Sequence, residues 1–306
     1  MDEVSRYAFE AGQHAKEVQH EIIHSHDWLT VQAGVEAQKI SGKPHLLHIH
    51  ATEFDRSGEN PNQVIYDLER QGMEKSDHII AVSEYTKQII IKHYGIEEDK
   101  IDVVHNAVKP NLSVYQKNHH INKTDAVVLF LGRMTMQKGP DYFLKMAQKV
   151  LAHRKRVKFV MAGDGDMMQK MVHLATHLRI ERNVLFTGFL KGAEIDRAYR
   201  SADLYVMPSV SEPFGITPLE AIMHGAPVLI SKQSGVSEVI KNALRVDFWD
   251  TEEMASKVLA VLDYQPLQKT LQEQAKKEMK KLHWHGQAGK IVKVYDKLIK
   301  KLKIKN

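Results

Sequence analysis

Residues Ser211-Glu212-Pro213-Phe214-Gly215-Ile216-Thr217-Pro218-Leu219-Glu220 stand between an apolar run, Leu204 to Met207, and a helical stretch, Leu219 to His224. A strand that turns into a helix presents first-turn amides with no intrahelical acceptor, here those of Gly215, Ile216 and Thr217. The aligned peptide dipoles favour negative charge at that end. Two carboxylates, Glu212 and Glu220, flank the turn. Carboxylates repel phosphate, so these acids suit hydroxyl groups beside an anion pocket. A phosphate bordered on both sides by sugar hydroxyls is the outline of a nucleotide sugar. A capped helix start with two surface acids explains the same spacing, and one turn motif does not decide between them.

The rhythm around that stretch predicts the fold. Val4 to Val18 reads as a helix, Glu21 to His24 as a strand, Trp28 to Ile40 as a helix and His45 to His50 as a strand. Gln63 to Lys75 is a helix, His78 to Val82 a strand, Glu84 to Tyr94 a helix and Ile101 to Val104 a strand. The polar stretch Asn106 to Thr124, with Pro110, breaks the pattern and reads as a linker. A fresh series follows, with strands at Ala126–Leu131, Val157–Ala162, Val184–Thr187, Leu204–Met207, Pro227–Ile230 and Ala243–Val246. Its intervening helices are Pro140–His153, Met167–Leu178 and Glu194–Ser201. Strands alternating with helices mean parallel βαβ units, so the expectation is α/β with two Rossmann-like domains facing a cleft. Three helices close the chain from Thr251; the last, Gly289 to Lys303, sets Ile291, Val292, Val294, Tyr295, Leu298 and Ile299 on one face.

Composition narrows the function classes. The 306 residues are 43% hydrophobic and 26% charged, as in globular domains. No apolar run reaches the roughly 18 residues of a membrane-spanning helix. No signal peptide is visible, and the absence of cysteine excludes disulfides and thiolate metal sites, in keeping with a cytoplasmic protein. A net charge of +5 suits anionic ligands but is too small to argue for nucleic acid. The tail Lys300-Lys301-Leu302-Lys303-Ile304-Lys305 offers a weak contact to an anionic membrane; a solvated helix end, with lysines matched to the dipole, explains it better.

Candidate chemistry gathers at strand ends. Gly132-Arg133 and Lys138-Gly139 follow the strand Ala126–Leu131. Two cations within six residues would neutralise the charge that grows on a departing diphosphate. Gly163-Asp164-Gly165 is a tight turn open to a ligand or to plain turn chemistry. Gly188-Phe189-Leu190 offers backbone groups to a nucleotide base. In the first half, His50 ends a strand and can hydrogen-bond a sugar hydroxyl as a neutral imidazole. His24-Ser25-His26-Asp27-Trp28 ends another strand; neighbours such as His26 and Asp27 make poor ligand geometry, so no metal is expected. His45 and His48 read as strand or surface histidines.

Taken together these residues resemble glycosyltransferase family 4 with the GT-B fold. The resemblance rests on Gly132-Arg133 with Lys138-Gly139, Gly163-Asp164-Gly165, Glu212 to Glu220 and Gly225-Ala226-Pro227-Val228, in order over Ala126 to Val246. His24 to Thr30 and His50-Ala51-Thr52-Glu53 are similar to the glycogen and starch synthase-like members. Trp284 and the last helix resemble a C-terminal helix that crosses back to the first domain. The domains implied are 1–118 on the acceptor side, 119–282 for the nucleotide sugar, and the helix 283–306.

The resemblance implies a transferase moving a hexose, with glucose as one reading, from a nucleoside diphosphate sugar to a glycan acceptor such as an α-glucan, with retention and without a metal or other cofactor. His50, Arg133, Lys138 and Glu212 would be the catalytic set. Gly132, Gly163, Gly165, Gly188, Phe189, Leu190, Phe214, Gly215, Ile216, Thr217 and Glu220 would bind substrate, Glu220 at the ribose. The alternatives are a transferase for a lipid-linked or surface polysaccharide, a nucleotide-sugar epimerase, and a non-catalytic nucleotide-sugar binder.

Some features depart from the family. No apolar strand with a glycine-rich loop precedes the first helix, so the N-terminal domain is expected to be incomplete, with an unfilled sheet edge near Glu21–His24 open to pairing. Ala107 and Lys109 stand where Gly and Asp are common, and Gln233-Ser234-Gly235 replaces a double glycine.

Overall fold

The structure is a computed structural model that describes residues 2–108, 125–280 and 282–305. The chain forms two compact units, one of residues 1–107 and 284–306, the other of residues 108–283. Most of the expected linker, residues 109–124, lies outside the described residues, as does Lys109.

The first unit runs α1 (Asp2–Glu17), β1 (Ile23–His26), α2 (Asp27–Ser41), β2 (His45–Ile49), α3 (Glu53–Ser57), α4 (Gln63–Lys75), β3 (His78–Ala81), α5 (Glu84–Ile89) and β4 (Ile101–Val103). The strands pair in parallel in the order β1-β2-β3-β4, which puts β1 at an edge among the described strands. Side chains alternate across the sheet, as period-2 geometry dictates. Leu47, Ile49, Ile79 and Ala81 pack with Val31 and Met73 on one face, whereas Leu46 and Ile80 face the other way. Both faces are buried, the usual condition of parallel sheets. The strand expected at Glu21–His24 is displaced to Ile23–His26, because it pairs from Ile23 opposite His45 to His26 opposite His48. The helix expected over Glu84–Tyr94 changes to a π-helical turn at Ile90–Tyr94 and ends on Gly95 at φ +69°. The short α3 was not expected; a capping box between Thr52 and Asp55 starts it.

The second unit runs β5 (Ala126–Leu131), α6 (Pro140–His153), β6 (Val157–Ala162), α7 (Met168–His177), β7 (Val184–Gly188), α8 (Ala193–Ser201), β8 (Leu204–Met207), α9 (Thr217–Met223), β9 (Val228–Ser231), β10 (Leu244–Val246), α10 (Thr251–Asp263) and α11 (Gln265–Met279). Its parallel sheet has the order β10-β9-β8-β5-β6-β7. The chain winds outward from β5 through β6 to β7, then returns to β8 on the other side of β5. Where winding reverses, the loops leaving the two strands part and open a crevice at the carboxyl ends. Here those are the loops after β5 and β8. The core beneath holds Val128, Phe130, Phe143, Phe159, Met161 and Val206, all buried.

Finally α12 (Trp284–Lys305) joins the first unit. Val294 and Leu298 are buried against Leu46, Ile80 and Val104, with Ile291 and Tyr295 partly buried alongside. Val292 was expected on this face but is 50% exposed. It sits one residue, about 100°, from Ile291, and the 291/294/295/298 spacing already fills the stripe. Among the described residues no helix is long and apolar enough to cross a membrane.

Candidate active site

The crevice between β5 and β8 brings together the two cations, Glu212 and the turn before α9, whereas Gly188, Phe189 and Leu190 lie at the outer strand β7. The loop after β5 carries Gly132, Arg133 and Lys138; the loop after β8 carries Glu212 and Gly215. Their backbones are joined by a bond from the Val210 amide to the Gln137 carbonyl, 2.9 Å. Gly139 lets them close up, since a Cβ there would lie 2.2 Å from the Pro208 carbonyl oxygen. The Lys138 ammonium then reaches across and donates to Glu212 Oε2 at 2.6 Å. Ser209 Oγ donates to the same oxygen at 3.3 Å.

Glu212 is a 6% exposed carboxylate held at its backbone as well. Its amide donates to the Gln233 carbonyl (3.0 Å) and its carbonyl accepts from the Gly235 amide (2.9 Å). The Gln233-Ser234-Gly235 segment therefore positions Glu212. An ammonium has three donors, so the bond to Glu212 leaves two for another anion. Arg133 is exposed and makes no ion pair among the described residues. One cation is thus fixed by a buried acid, and the other is free to meet a ligand.

Gly163 and Gly165 belong to the same edge. A Cβ on Gly163 would lie 1.9 Å from the Gly132 carbonyl oxygen, and one on Gly165 would lie 2.5 Å from that of Met134. The Met134 amide donates to the Asp164 carbonyl and the Gly163 amide to the Gly188 carbonyl, each at 2.9 Å. The chain's own backbone thus accounts for both glycines, and they hold the Arg133 loop in place. Gly188 closes β7, an outer strand of the sheet. Phe189 beyond it is 70% exposed, with the Lys191 ammonium 5.8 Å from its ring centre, and Leu190 is half-buried.

Gly215, at φ +99°, precedes α9. No acceptor among the described residues takes the amides of Gly215, Ile216 or Thr217, and the helix they open begins two residues earlier than expected. Phe214 is buried beside them, and its carbonyl accepts from the Val236 amide. The buried Tyr205 hydroxyl lies 3.2 Å from the Leu131 carbonyl oxygen and 2.8 Å from Thr217 Oγ1, tying the end of β5 to the start of α9. Glu220 accepts from the Tyr199 hydroxyl at 2.9 Å, and burial first, then the neighbouring Tyr205 and Glu220, raises the tyrosine far above its ordinary pKa, so it stays a donor. Tyr199 gave no signal in the sequence; it stands 21 residues before Glu220, and only the packing of α8 on α9 unites them.

His50 belongs to the first unit. It lies just beyond β2, and its Nε2 is 3.0 Å from His26 Nδ1. Asp27 Oδ1 accepts from the His50 amide at 2.6 Å. His24 lies on β1 as expected, His26 lies on it too rather than past its end, and His45 and His48 are buried on β2. Burial lowers His24 to about 4 and His48 to about 2, the neighbouring histidines adding to the shift, so both rings are neutral.

Residues 113–278 match the family described as glycosyl transferases group 1, and residues 4–112 match glycosyltransferase family 4. The chain belongs to the glycosyl transferases group 1 family. An uncharacterised glycosyltransferase of Methanocaldococcus jannaschii is 33% identical over 90% of this chain and 75% of the relative. A D-inositol 3-phosphate glycosyltransferase of Rhodococcus jostii is 27% identical over 94% of this chain and 70% of the relative. Among solved structures, the sucrose-phosphate synthase of Thermosynechococcus elongatus aligns with a TM-score of 0.83 at 17% identity, covering 96% of this chain and 78% of that one. Anabaena HepE, solved in complex with UDP and glucose, aligns with a TM-score of 0.80 at 19% identity, covering 94% and 80%. These similarities establish a glycosyltransferase with the GT-B fold.

Proposed function

We propose that this glycosyltransferase moves a hexose from a nucleoside diphosphate sugar to a hydroxyl of a glycan acceptor, with retention at the anomeric carbon and without a metal. The observation that carries the reading is the meeting of Lys138 and Glu212 at the strand reversal, beside the unpaired Arg133. As the bond between the anomeric carbon and the diphosphate oxygen breaks, negative charge grows on the leaving group. Lys138 and Arg133 stabilise it in place of a divalent cation. The acceptor oxygen bonds to the anomeric carbon from the leaving-group side, and its proton passes to a phosphate oxygen. The amides of Gly215, Ile216 and Thr217 take donor oxygens, Glu212 lies by the donor sugar, and Glu220 holds ribose hydroxyls. The backbone of Gly188 to Leu190 is assigned to the base, and His50, on the family resemblance alone, to a hydroxyl of the donor sugar.

The test is a thermal-shift screen of nucleoside diphosphates and their sugars, followed by transfer assays with the stabilising donor. A bound donor raises the unfolding temperature by mass action. No shift with any diphosphate would contradict the reading. A second acceptor reading, an inositol phosphate, is favoured by the names of the D-inositol 3-phosphate glycosyltransferase relatives and enters the same assay.

Two smaller effects follow from the ribose assignment. Glu220→Ala removes hydrogen bonds to a charged acceptor, each worth about 1.5–3 kcal/mol, so donor Kd should rise tenfold or more with little change in kcat. Tyr199→Phe keeps the ring but frees Glu220; the donor KM should rise about fivefold, the equivalent of about 1 kcal/mol. Steady-state kinetics with varied donor checks both.

A further inference from the structure

We infer that His24, His26 and His48, on the face of the first unit's sheet that α12 covers, form a binding site for a divalent transition cation such as Zn2+. Each of the three offers a ring nitrogen within 4.8 Å of the others. Their positions follow from the strands. His24 and His26 are two residues apart on β1 and so share a face. His26 pairs in register with His48 on β2. The rings of His24 and His26 are 4.5 Å apart, those of His26 and His48 5.3 Å, and His50 stacks on His48 at 4.3 Å.

The hydrogen bonding of this group is incomplete in a way a cation would repair. Tyr295 of α12 lies 2.6 Å from His24 Nδ1. With that nitrogen protonated toward the phenol oxygen, His24 Nε2 carries a lone pair, and this atom is buried without a partner. Both nitrogens of His48 are also buried without a partner. Each such atom costs about 1–3 kcal/mol when left unpaired, and buried polar groups are normally satisfied. The neutral imidazole is the form that ligates a metal. Hydrogen bonding of the outer nitrogen to a second group, as Tyr295 provides, is the usual support for a metal-bound histidine.

An all-imidazole set selects Zn2+, Cu2+ or Ni2+ over Mg2+ or Ca2+. Zinc bonds of about 2.0–2.1 Å place tetrahedral ligand atoms about 3.4 Å apart. His24 stacks on His26 and His48 with interplanar angles of 24° and 12°, so the rings turn out of this stack to aim their nitrogens at one cation. His26 is exposed and gives the cation a way in. The site joins β1 to β2 and, through Tyr295, to α12. His26 Nδ1 lies 3.0 Å from Nε2 of His50, the residue assigned to the donor sugar, and the readouts below do not depend on activity.

The experiment titrates Zn2+ into the tag-free chain of residues 1–306 by calorimetry. The wild type is expected to take up one equivalent with micromolar or tighter affinity. His24→Asn/His26→Asn should weaken this at least tenfold, and Tyr295→Phe by about tenfold. His153→Asn/His173→Asn, at exposed positions of the second unit, should bind as the wild type does. Co2+ added to the wild type should give the intense visible bands of a four-coordinate site, a readout that stands even if the double variant folds poorly. No saturable equivalent of Zn2+, the weak spectrum of six-coordinate Co2+, or undiminished binding by a folded His24→Asn/His26→Asn protein would overturn the inference.

Discussion

Lys138→Ala is expected to lower kcat by two to three orders of magnitude while the protein stays folded. The lysine side chain is mostly buried and its ammonium is held at 2.6 Å by the buried Glu212 carboxylate, so its place is fixed before any ligand arrives. Fixed charges aimed at a leaving group need no reorganisation when the bond breaks. Removing one such group costs about 3 kcal/mol of transition-state stabilisation. The truncation also leaves the Glu212 carboxylate without its cation in a buried position, where it repels an incoming diphosphate. Both consequences act in the same direction. Arg133→Ala removes an exposed guanidinium and should cost less than Lys138→Ala, though still more than tenfold. Single-turnover measurements with saturating donor separate the loss in the chemical step from any loss in binding. Wild-type rates in both variants would show that the cations do not meet the leaving group.

The second large effect concerns the scaffold. Gly163→Ala should destabilise the protein by about 2–4 kcal/mol. The residue sits at φ +132°, outside the range L side chains favour, and the new methyl would lie 1.9 Å from the Gly132 carbonyl oxygen. That oxygen belongs to the backbone of the cation loop, so relief of the clash must displace Gly132 and Arg133. Chemical denaturation should therefore show a lower midpoint with an unchanged slope. Whatever protein remains folded should bind nucleoside diphosphate more weakly. A variant with wild-type stability would mean that the two loops do not approach as described.

Much of this was legible in the chain. Apolar runs such as Ala126–Leu131 and Val157–Ala162 are buried on both sides and could hardly be anything but inner parallel strands. Glycines at strand ends marked the carboxyl edge of the second sheet. The reversal between β5 and β8, which brings Lys138 to Glu212, is not written in either loop; it is a property of strand order across a sequence separation of 74. Polar strands were harder to read. His26 looks like a loop residue because the apolar run Ile22-Ile23 gives out at His24, yet β1 extends through both histidines by pairing with β2. Their proximity to His48 and His50 depends on a strand partner some two dozen residues away, so Asp27, the adjacent candidate ligand, drew attention instead. Asp27 in fact caps the backbone of His50 and Ala51. Tyr199 was silent for the same reason.

The most direct test of the central claim is calorimetric titration of nucleoside diphosphates and the matching nucleosides into the wild type, Lys138→Ala and Arg133→Ala. One diphosphate should bind the wild type saturably and at least tenfold more weakly to each variant, while its nucleoside binds all three proteins alike. Equal diphosphate affinity across the three would contradict the account, because the charges at the strand reversal would then have no diphosphate to hold.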